Sequence, residues 1–171
     1  MTDEYYSDSY IEGLLASVKS VAIVGASPKN VRPSYFVVKY LISKGYDVYP
    51  INPGHAGRDI CGAKTYGALS DVPGPIDMVD IFRSSEAALQ ITRDALELDP
   101  LPKIIWMQLT IRNEEAAKLA REKNIEVVMN RCPKIEYARL SGEIGWAGVA
   151  SRKISARKPK LAKGFQRFGL T

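Results

Sequence analysis

Residues 20–34 read SVAIVGASPKNVRPS, and their pattern indicates the class of fold. It begins with an apolar run rich in β-branched side chains, as expected of a buried strand. Gly25 and Pro28 then mark a loop, and an apolar helical face follows within residues 36–41. A strand, a glycine loop and a helix in this order are typical of the first βαβ unit of a parallel sheet.

The same alternation continues along the chain to about residue 140. It predicts strands at residues 20–25, 47–52, 77–82, 103–107 and 126–130. Most of these runs are too apolar to have a solvated face, which favours parallel strands buried on both sides. The sequence therefore predicts a single α/β domain, a Rossmann-like, doubly wound, mainly parallel five-stranded sheet with helices on both faces.

Three helices between these strands have recognisable ends. Ser34 is expected to cap the first, and Gly45 to end it in a left-handed conformation. Ser84 or Ser85 is expected to cap a second helix through residue 96. Asn113 is expected to cap a third through residue 123, with acidic residues first and basic residues last, which matches the helix dipole.

The composition excludes several classes of protein. With 46% hydrophobic and 25% charged residues, the chain falls in the ordinary globular class. No apolar run is long enough to span a membrane, and the acidic, tyrosine-rich start is unlike a signal peptide, so we expect a cytoplasmic protein. Cys61, Cys132 and the single histidine, His55, form neither a disulfide framework nor a metal-ligand spacing.

The positive charge is concentrated in the tail. Residues 141–171 contain seven basic residues and one acidic residue, out of 24 and 19 in the whole chain. We expect an N-terminal arm at 1–14, the α/β domain at 15–140 and a basic C-terminal extension at 141–171. Such a tail can bind nucleic acid, but tails of this kind more often solubilise or bind proteins. The sequence leaves open whether the chain binds a protein partner or forms a homodimer.

The loop that starts at Gly25 has the features of a phosphate site. Backbone N–H groups and a helix dipole converge there on an anion. Ser27 and Ser34 add hydroxyl donors, and Arg32 adds a guanidinium suited to phosphate. The alternative is an ordinary loop with a solvated arginine.

Two absences narrow the choice of nucleotide. The loop is not GxGxxG, and the second strand ends in Asn52 and Pro53, where a NAD-binding domain places an acid for the ribose hydroxyls. NAD is therefore disfavoured. No GxxxxGK[ST] stretch occurs, so ATP binding through a P-loop is unsupported.

Four blocks of the chain, in order, resemble a known family. They read VAIVGASPKNVRPSY at 21–35, YLISKGYDVYPINP at 40–53, DMVDIFRSSE at 77–86 and IWMQLTIRNEEAAKLAREKNIEVVMNRCPKIE at 105–136. The resemblance is to stand-alone CoA-binding proteins, related to the nucleotide-binding domain of succinyl-CoA synthetase alpha chains and ADP-forming acyl-CoA synthetases. It implies a small-molecule ligand, coenzyme A (CoA) or an acyl-CoA. His55 is not thereby the phosphorylated histidine of the synthetases, which belongs to a second domain.

In a doubly wound sheet the ligand lies across the carboxyl ends of the strands, so the residues after each strand are the candidates. They are Gly25, Ala26, Ser27, Arg32 and Ser34 in the first loop, Asn52 and Pro53 in the second, Arg83 and Ser84 in the third, Gln108 and Leu109 in the fourth, and Arg131 and Cys132 in the fifth.

Several of these candidates have two interpretations. Arg32 is expected to be the main contact to a CoA phosphate, and Arg83 to be either a phosphate contact or a solvated loop residue. Gln108 can bond the amides of the pantetheine arm or can link neighbouring loops. Arg131 can lower the pKa of Cys132, which would allow a mixed disulfide with CoA; the alternative is a buried thiol that packs the sheet edge.

One position departs from the family pattern, which commonly reads QxG after the fourth strand. Thr110 stands where that glycine would fall. Because a β-branched residue disfavours positive φ, we expect a remodelled loop there.

Three functions remain open at this point. The first is a non-catalytic module that binds CoA or acyl-CoA, which the sequence favours. The second is an enzyme that uses NAD(P) or CoA, although no acid–base pair or activated nucleophile has a recognisable spacing. The third is a protein that associates with nucleic acid through the basic tail, which is disfavoured.

Overall fold

The computed structural model describes residues 5–143, and most of the basic extension expected at 141–171 lies outside these described residues. The strands are β1 (Ser20–Val24), β2 (Asp47–Ile51), β3 (Asp59–Ile60), β4 (Ala63–Lys64), β5 (Met78–Ile81), β6 (Ile104–Met107) and β7 (Glu126–Val128). The α-helices are α1 (Asp8–Ser17), α2 (Pro33–Ser43), α3 (Ser85–Leu96), α4 (Glu114–Glu122) and α5 (Pro133–Leu140).

The main sheet has five strands in the order β2-β1-β5-β6-β7. All four pairings are parallel, and Val21 in β1 lies between Val48 of β2 and Met78 of β5. The short strands β3 and β4 form an antiparallel hairpin, after which Tyr66 pairs with Ile51 at the edge of β2. The predicted five-stranded, doubly wound sheet is confirmed.

The side chains of the strands alternate between two hydrophobic layers. Ile23 and Trp106 pack with α1, α2 and α5 on one face. Ala22 and Ile105 pack with α3 and α4 on the other. This period of two is what a pleated strand imposes, and both layers are filled because both faces of a parallel sheet are covered. The carboxyl ends of the strands therefore meet at one edge of a rigid core.

The N-terminal segment differs from the loose arm that was expected. Ser7 caps α1 through its hydroxyl, and the helix buries Ile11 and Leu15 against the core. Asp8 pairs with Arg139 of α5 at 2.8 Å. The expectation is therefore wrong from Asp8 onward, because the apolar spacing of three and four residues forms a short helix that packs on α5.

Most of the predicted helix ends are confirmed. The side chains of Ser84 and Asn113 each accept a backbone hydrogen bond at the start of α3 and α4. Gly45 follows α2 with a φ of +87°. Ser34 is not the N-cap of α2; that position belongs to Arg32, because a proline takes the first helical position, where its missing N–H costs nothing.

Candidate binding site

The order of the sheet reverses between β1 and β5. From β1 the chain goes to β2 on one side and later returns to β5 on the other. Such a switch point opens a crevice at the carboxyl ends of the two strands, where ligands of doubly wound sheets bind. Gly25 follows β1 and Arg83 lies just after β5. A Cβ atom on Gly25 would lie 3.0 Å from Cδ of Arg83, so the first loop packs directly on this arginine.

Two clefts meet at this crevice. The Asn52 cleft, about 760 Å³, lies over the ends of β1 and β2 beside α3, and its lining includes Gly25, Asn52, Pro53, Leu69 and Arg83. The Gln108 cleft, about 630 Å³, lies over the ends of β5, β6 and β7, and its lining includes Phe36, Arg83, Ser84, Gln108, Leu109 and Cys132. Both volumes suit a small organic ligand.

Arg83 lies between the two clefts and lines both of them. It is exposed, and it forms no ion pair with any other residue in the described range, 5–143. Ser84 beside it caps α3, so the amino end of that helix opens at the same place. A guanidinium and a helix amino end together favour an anion here.

The first loop is held together by its own serines. Ser34 is buried, and its Oγ accepts a hydrogen bond from the Ser27 amide at 3.1 Å. The Ser27 hydroxyl in turn accepts from the Lys29 amide at 3.2 Å. Ala26 is fully buried. Arg32 is exposed and is not among the residues that line the two clefts, whereas Arg83 lines both of them.

Asn52 fastens the second loop to the first. Its Nδ2 donates to the Ala26 carbonyl at 2.7 Å, and its Oδ1 accepts from the Gly54 amide at 2.9 Å. Both ends of the side-chain amide are therefore engaged by the protein. Pro53 follows at the rim of the Asn52 cleft. NAD-binding domains place a carboxylate for the ribose diol at the end of the second strand, whereas the carboxylates that line the Asn52 cleft, Asp94 and Glu97, come from the carboxyl end of α3.

A buried carboxyl positions Gln108. Nε2 of Gln108 donates to both carboxyl oxygens of Asp80, at 2.9 and 3.0 Å. Burial raises the pKa of Asp80 to about 8, while the bond from Gln108 opposes the shift. Because Asp80 binds the side-chain nitrogen of Gln108, the side-chain oxygen of Gln108 is left to accept a hydrogen bond from a ligand in the Gln108 cleft.

The fifth loop gives its two candidates different surroundings. Cys132 lines the Gln108 cleft but is buried, and burial raises the pKa of its thiol, which disfavours the reactive thiolate. The guanidinium of Arg131 lies over the ring of Tyr6, 5.5 Å from its centroid, and donates to the Asn130 carbonyl at 2.8 Å. Arg131 is therefore turned to the N-terminal segment and is not among the lining residues of either cleft.

The fourth loop keeps the conformation that a glycine would favour. Leu109 is exposed at the rim of the Gln108 cleft. Thr110 has a φ of +70°, and its amide donates to Oδ1 of Asn130 at 2.8 Å. The remodelling expected for a β-branched residue is therefore not observed, because the hydrogen bond to Asn130 holds the positive φ. Strain of this kind is common at binding sites.

Sequence reasoning missed an apolar group at this site. Val31, Phe36 and Ile135 line the Gln108 cleft and are exposed. Phe36 was expected on the apolar face of the first helix, whereas it is 48% exposed at the cleft. The pattern could not show that the first loop, α2 and α5 bring these side chains together.

The described part of the chain contains neither a metal-ligand cluster nor a membrane-spanning helix. Across residues 5–143, no three His, Cys, Asp or Glu side chains are grouped so that they could hold a metal ion. In the same range, no helix is long and apolar enough to cross a membrane.

Comparison with known proteins agrees with this geometry. The profile of a family described as "CoA binding domain" matches residues 19–138, which contain both clefts and the whole main sheet. The chain belongs to this CoA-binding domain family.

Relatives of this CoA-binding domain include a protein of its own size. YneT of Bacillus subtilis is 34% identical over 132 residues, which are 77% of this chain and 95% of YneT. The alpha subunit of the ADP-forming acetate–CoA ligase I of Pyrococcus furiosus is 32% identical over 84 residues, 47% of this chain. The match spans only 18% of that ligase subunit, so the CoA-binding domain corresponds to a small part of it.

Solved structures share the fold over most of this domain. A protein from Pyrococcus horikoshii is 35% identical with a TM-score of 0.74, covering 81% of this chain and 98% of its own. A protein from Thermus thermophilus is 33% identical with a TM-score of 0.73, covering 78% of this chain and 98% of its own.

Proposed function

We propose that this chain binds CoA or an acyl-CoA across the carboxyl ends of its strands and performs no chemistry on it. The observation that carries the proposal is the position of Arg83, an exposed cation at the switch point that lines both clefts. Membership of the CoA-binding domain family supports the same ligand.

In this proposal the ligand lies across Arg83. Its phosphates lie near the guanidinium and the amino end of α3, where charge-assisted hydrogen bonds are available. The adenosine occupies the Asn52 cleft, and the pantetheine arm passes Arg83 and Gln108 in the Gln108 cleft. An amide N–H of the arm donates to the side-chain oxygen of Gln108, whose nitrogen Asp80 holds.

Binding without catalysis fits the chemistry of the site. The thiol nearest the pantetheine end, Cys132, is buried with a raised pKa, so it is poorly suited to attack a thioester or form a mixed disulfide. The acetate–CoA ligases resemble this chain over less than a fifth of their length, and their reaction is not part of the proposal.

Isothermal titration calorimetry tests the assignment of Arg83. A hydrogen bond to a charged group contributes about 1.5–3 kcal/mol, so Arg83→Ala should weaken CoA binding by roughly tenfold to a hundredfold. Arg93→Ala is the matched control, because Arg93 lies on α3, the helix that follows Arg83, and is exposed but is not among the lining residues of either cleft. Equal affinities for the wild type and Arg83→Ala would refute the assignment.

A further inference from the structure

Exposed apolar side chains gather at one cleft. Among the described residues, six large hydrophobic side chains are exposed, and four of them line the Gln108 cleft. These four are Val31, Phe36, Leu109 and Ile135. Single exposed hydrophobic residues are ordinary, but several around a concave surface mark a binding site.

The four side chains occupy a distinct part of that cleft. The polar lining residues Arg83, Ser84 and Gln108 follow β5 and β6, and Arg83 also lines the Asn52 cleft. Three of the apolar four come from the first loop, α2 and α5, and these two helices pack on the face of the sheet opposite to α3. Lys134 also lines the cleft, but its ammonium lies over the ring of Tyr40, 5.7 Å from the centroid.

We infer that the natural ligand is a fatty acyl-CoA whose hydrocarbon chain lies between Phe36, Leu109 and Ile135. This inference rests on the proposed function and extends it, because it chooses acyl-CoA over free CoA. The ligand crosses Arg83 from the Asn52 cleft, its amide-bearing arm passes Gln108, and the acyl chain continues onto the apolar side.

The chemistry of the apolar side favours a hydrocarbon over the arm itself. The pantetheine arm carries amides and a hydroxyl, which lose hydrogen bonds with water when they are buried without partners. Phe36 and Ile135 offer no such partners. A saturated chain loses no hydrogen bonds there and gains the free energy of burying apolar surface.

The size of the effect follows from the number of buried methylene groups. Each fully buried methylene strengthens binding by about fourfold. Because the Gln108 cleft is open to solvent, we expect it to bury only part of an eight-carbon chain. Octanoyl-CoA should therefore bind the wild-type protein roughly tenfold to a hundredfold more tightly than CoA.

Calorimetry with CoA and octanoyl-CoA tests the inference on the full chain. The variant is Phe36→Ser combined with Ile135→Ser, which changes two exposed positions, 48% and 43% accessible, so the fold should persist. It should lose most of the preference for octanoyl-CoA while CoA binds within about twofold of wild type. Leu101→Ser is the matched control, since Leu101 is 40% exposed and is not among the lining residues of either cleft.

The outcomes separate this inference from the proposed function. If CoA and octanoyl-CoA bind the wild type equally, the acyl site is wrong and CoA binding stands. If neither binds, the proposed function itself fails. An equal loss of both ligands in the double variant, or a dimer in sedimentation equilibrium that only the double variant breaks, would also overturn the acyl site. An equal loss of both ligands would assign the apolar side to the pantetheine arm. A dimer that only the double variant breaks would assign it to a second copy of the chain.

Discussion

Replacing Gly25 with alanine tests how the first loop controls Arg83. Gly25 has a φ of +91°, where an added Cβ would lie 3.0 Å from Cδ and 3.3 Å from Cγ of Arg83. The positive φ alone should cost about 1–2 kcal/mol of unfolding free energy. The arginine can move away, because only its flexible side chain is in contact, and it would then lose its charged hydrogen bond to the ligand.

Gly62→Ala separates the two effects. Gly62 has a φ of +85°, but no atom lies within 4 Å of its added Cβ. Urea denaturation should therefore show a similar loss of stability, about 1–2 kcal/mol, for both variants. Calorimetry should show CoA binding weakened roughly tenfold or more in Gly25→Ala only. Wild-type affinity in a folded Gly25→Ala variant would refute the link between this glycine and Arg83.

Three further predictions concern single positions. Because burial raises the pKa of Asp80 from 3.8 to about 8, the folded chain holds a proton that the unfolded chain releases, and stability should fall as the pH rises through this window. Asp80→Asn should flatten that fall in urea denaturation at a series of pH values; an unchanged pH profile would contradict the buried carboxyl. Thr110→Gly should raise the free energy of unfolding by about 0.5–1 kcal/mol, because relief of the strained φ of +70° exceeds the entropy that glycine adds to the unfolded chain; a lower midpoint of denaturation would count against this. Ile11→Ala should cost about 2–5 kcal/mol, since Ile11 is 1% exposed, whereas an unpacked arm at residues 1–14 would make the substitution neutral in the same assay.

The strands and two helix caps were predictable because their signals are local. Buried parallel strands are short apolar runs, and Ser84 and Asn113 cap helices through hydrogen bonds that span three residues. The same kind of signal was present for α1, where Ser7 precedes the buried Ile11. It was missed because the acidic, tyrosine-rich start of the chain was interpreted as an arm. The helix α5 was likewise missed, although Pro133 marks its first position.

The site was predictable in position but not in detail. The loops that were selected by the rule that ligands lie at the carboxyl ends of the strands contribute residues to the lining of the two clefts. It could not choose between arginines, since the orientation of Arg131 depends on Tyr6, far away along the chain. It also could not predict that Asn130 would hold Thr110 at positive φ, because this bond joins two different loops.

Amide chemical-shift mapping can locate the CoA site on the sheet. When CoA is titrated into isotope-labelled protein, the largest shifts should fall on amides at the carboxyl ends of the strands, including Gly25, Arg83 and Leu109. The amino-terminal edge of the sheet, at Ser20 and Lys103, should change little. No shifts at saturating CoA, or shifts centred on that opposite edge, would contradict CoA binding at the switch point.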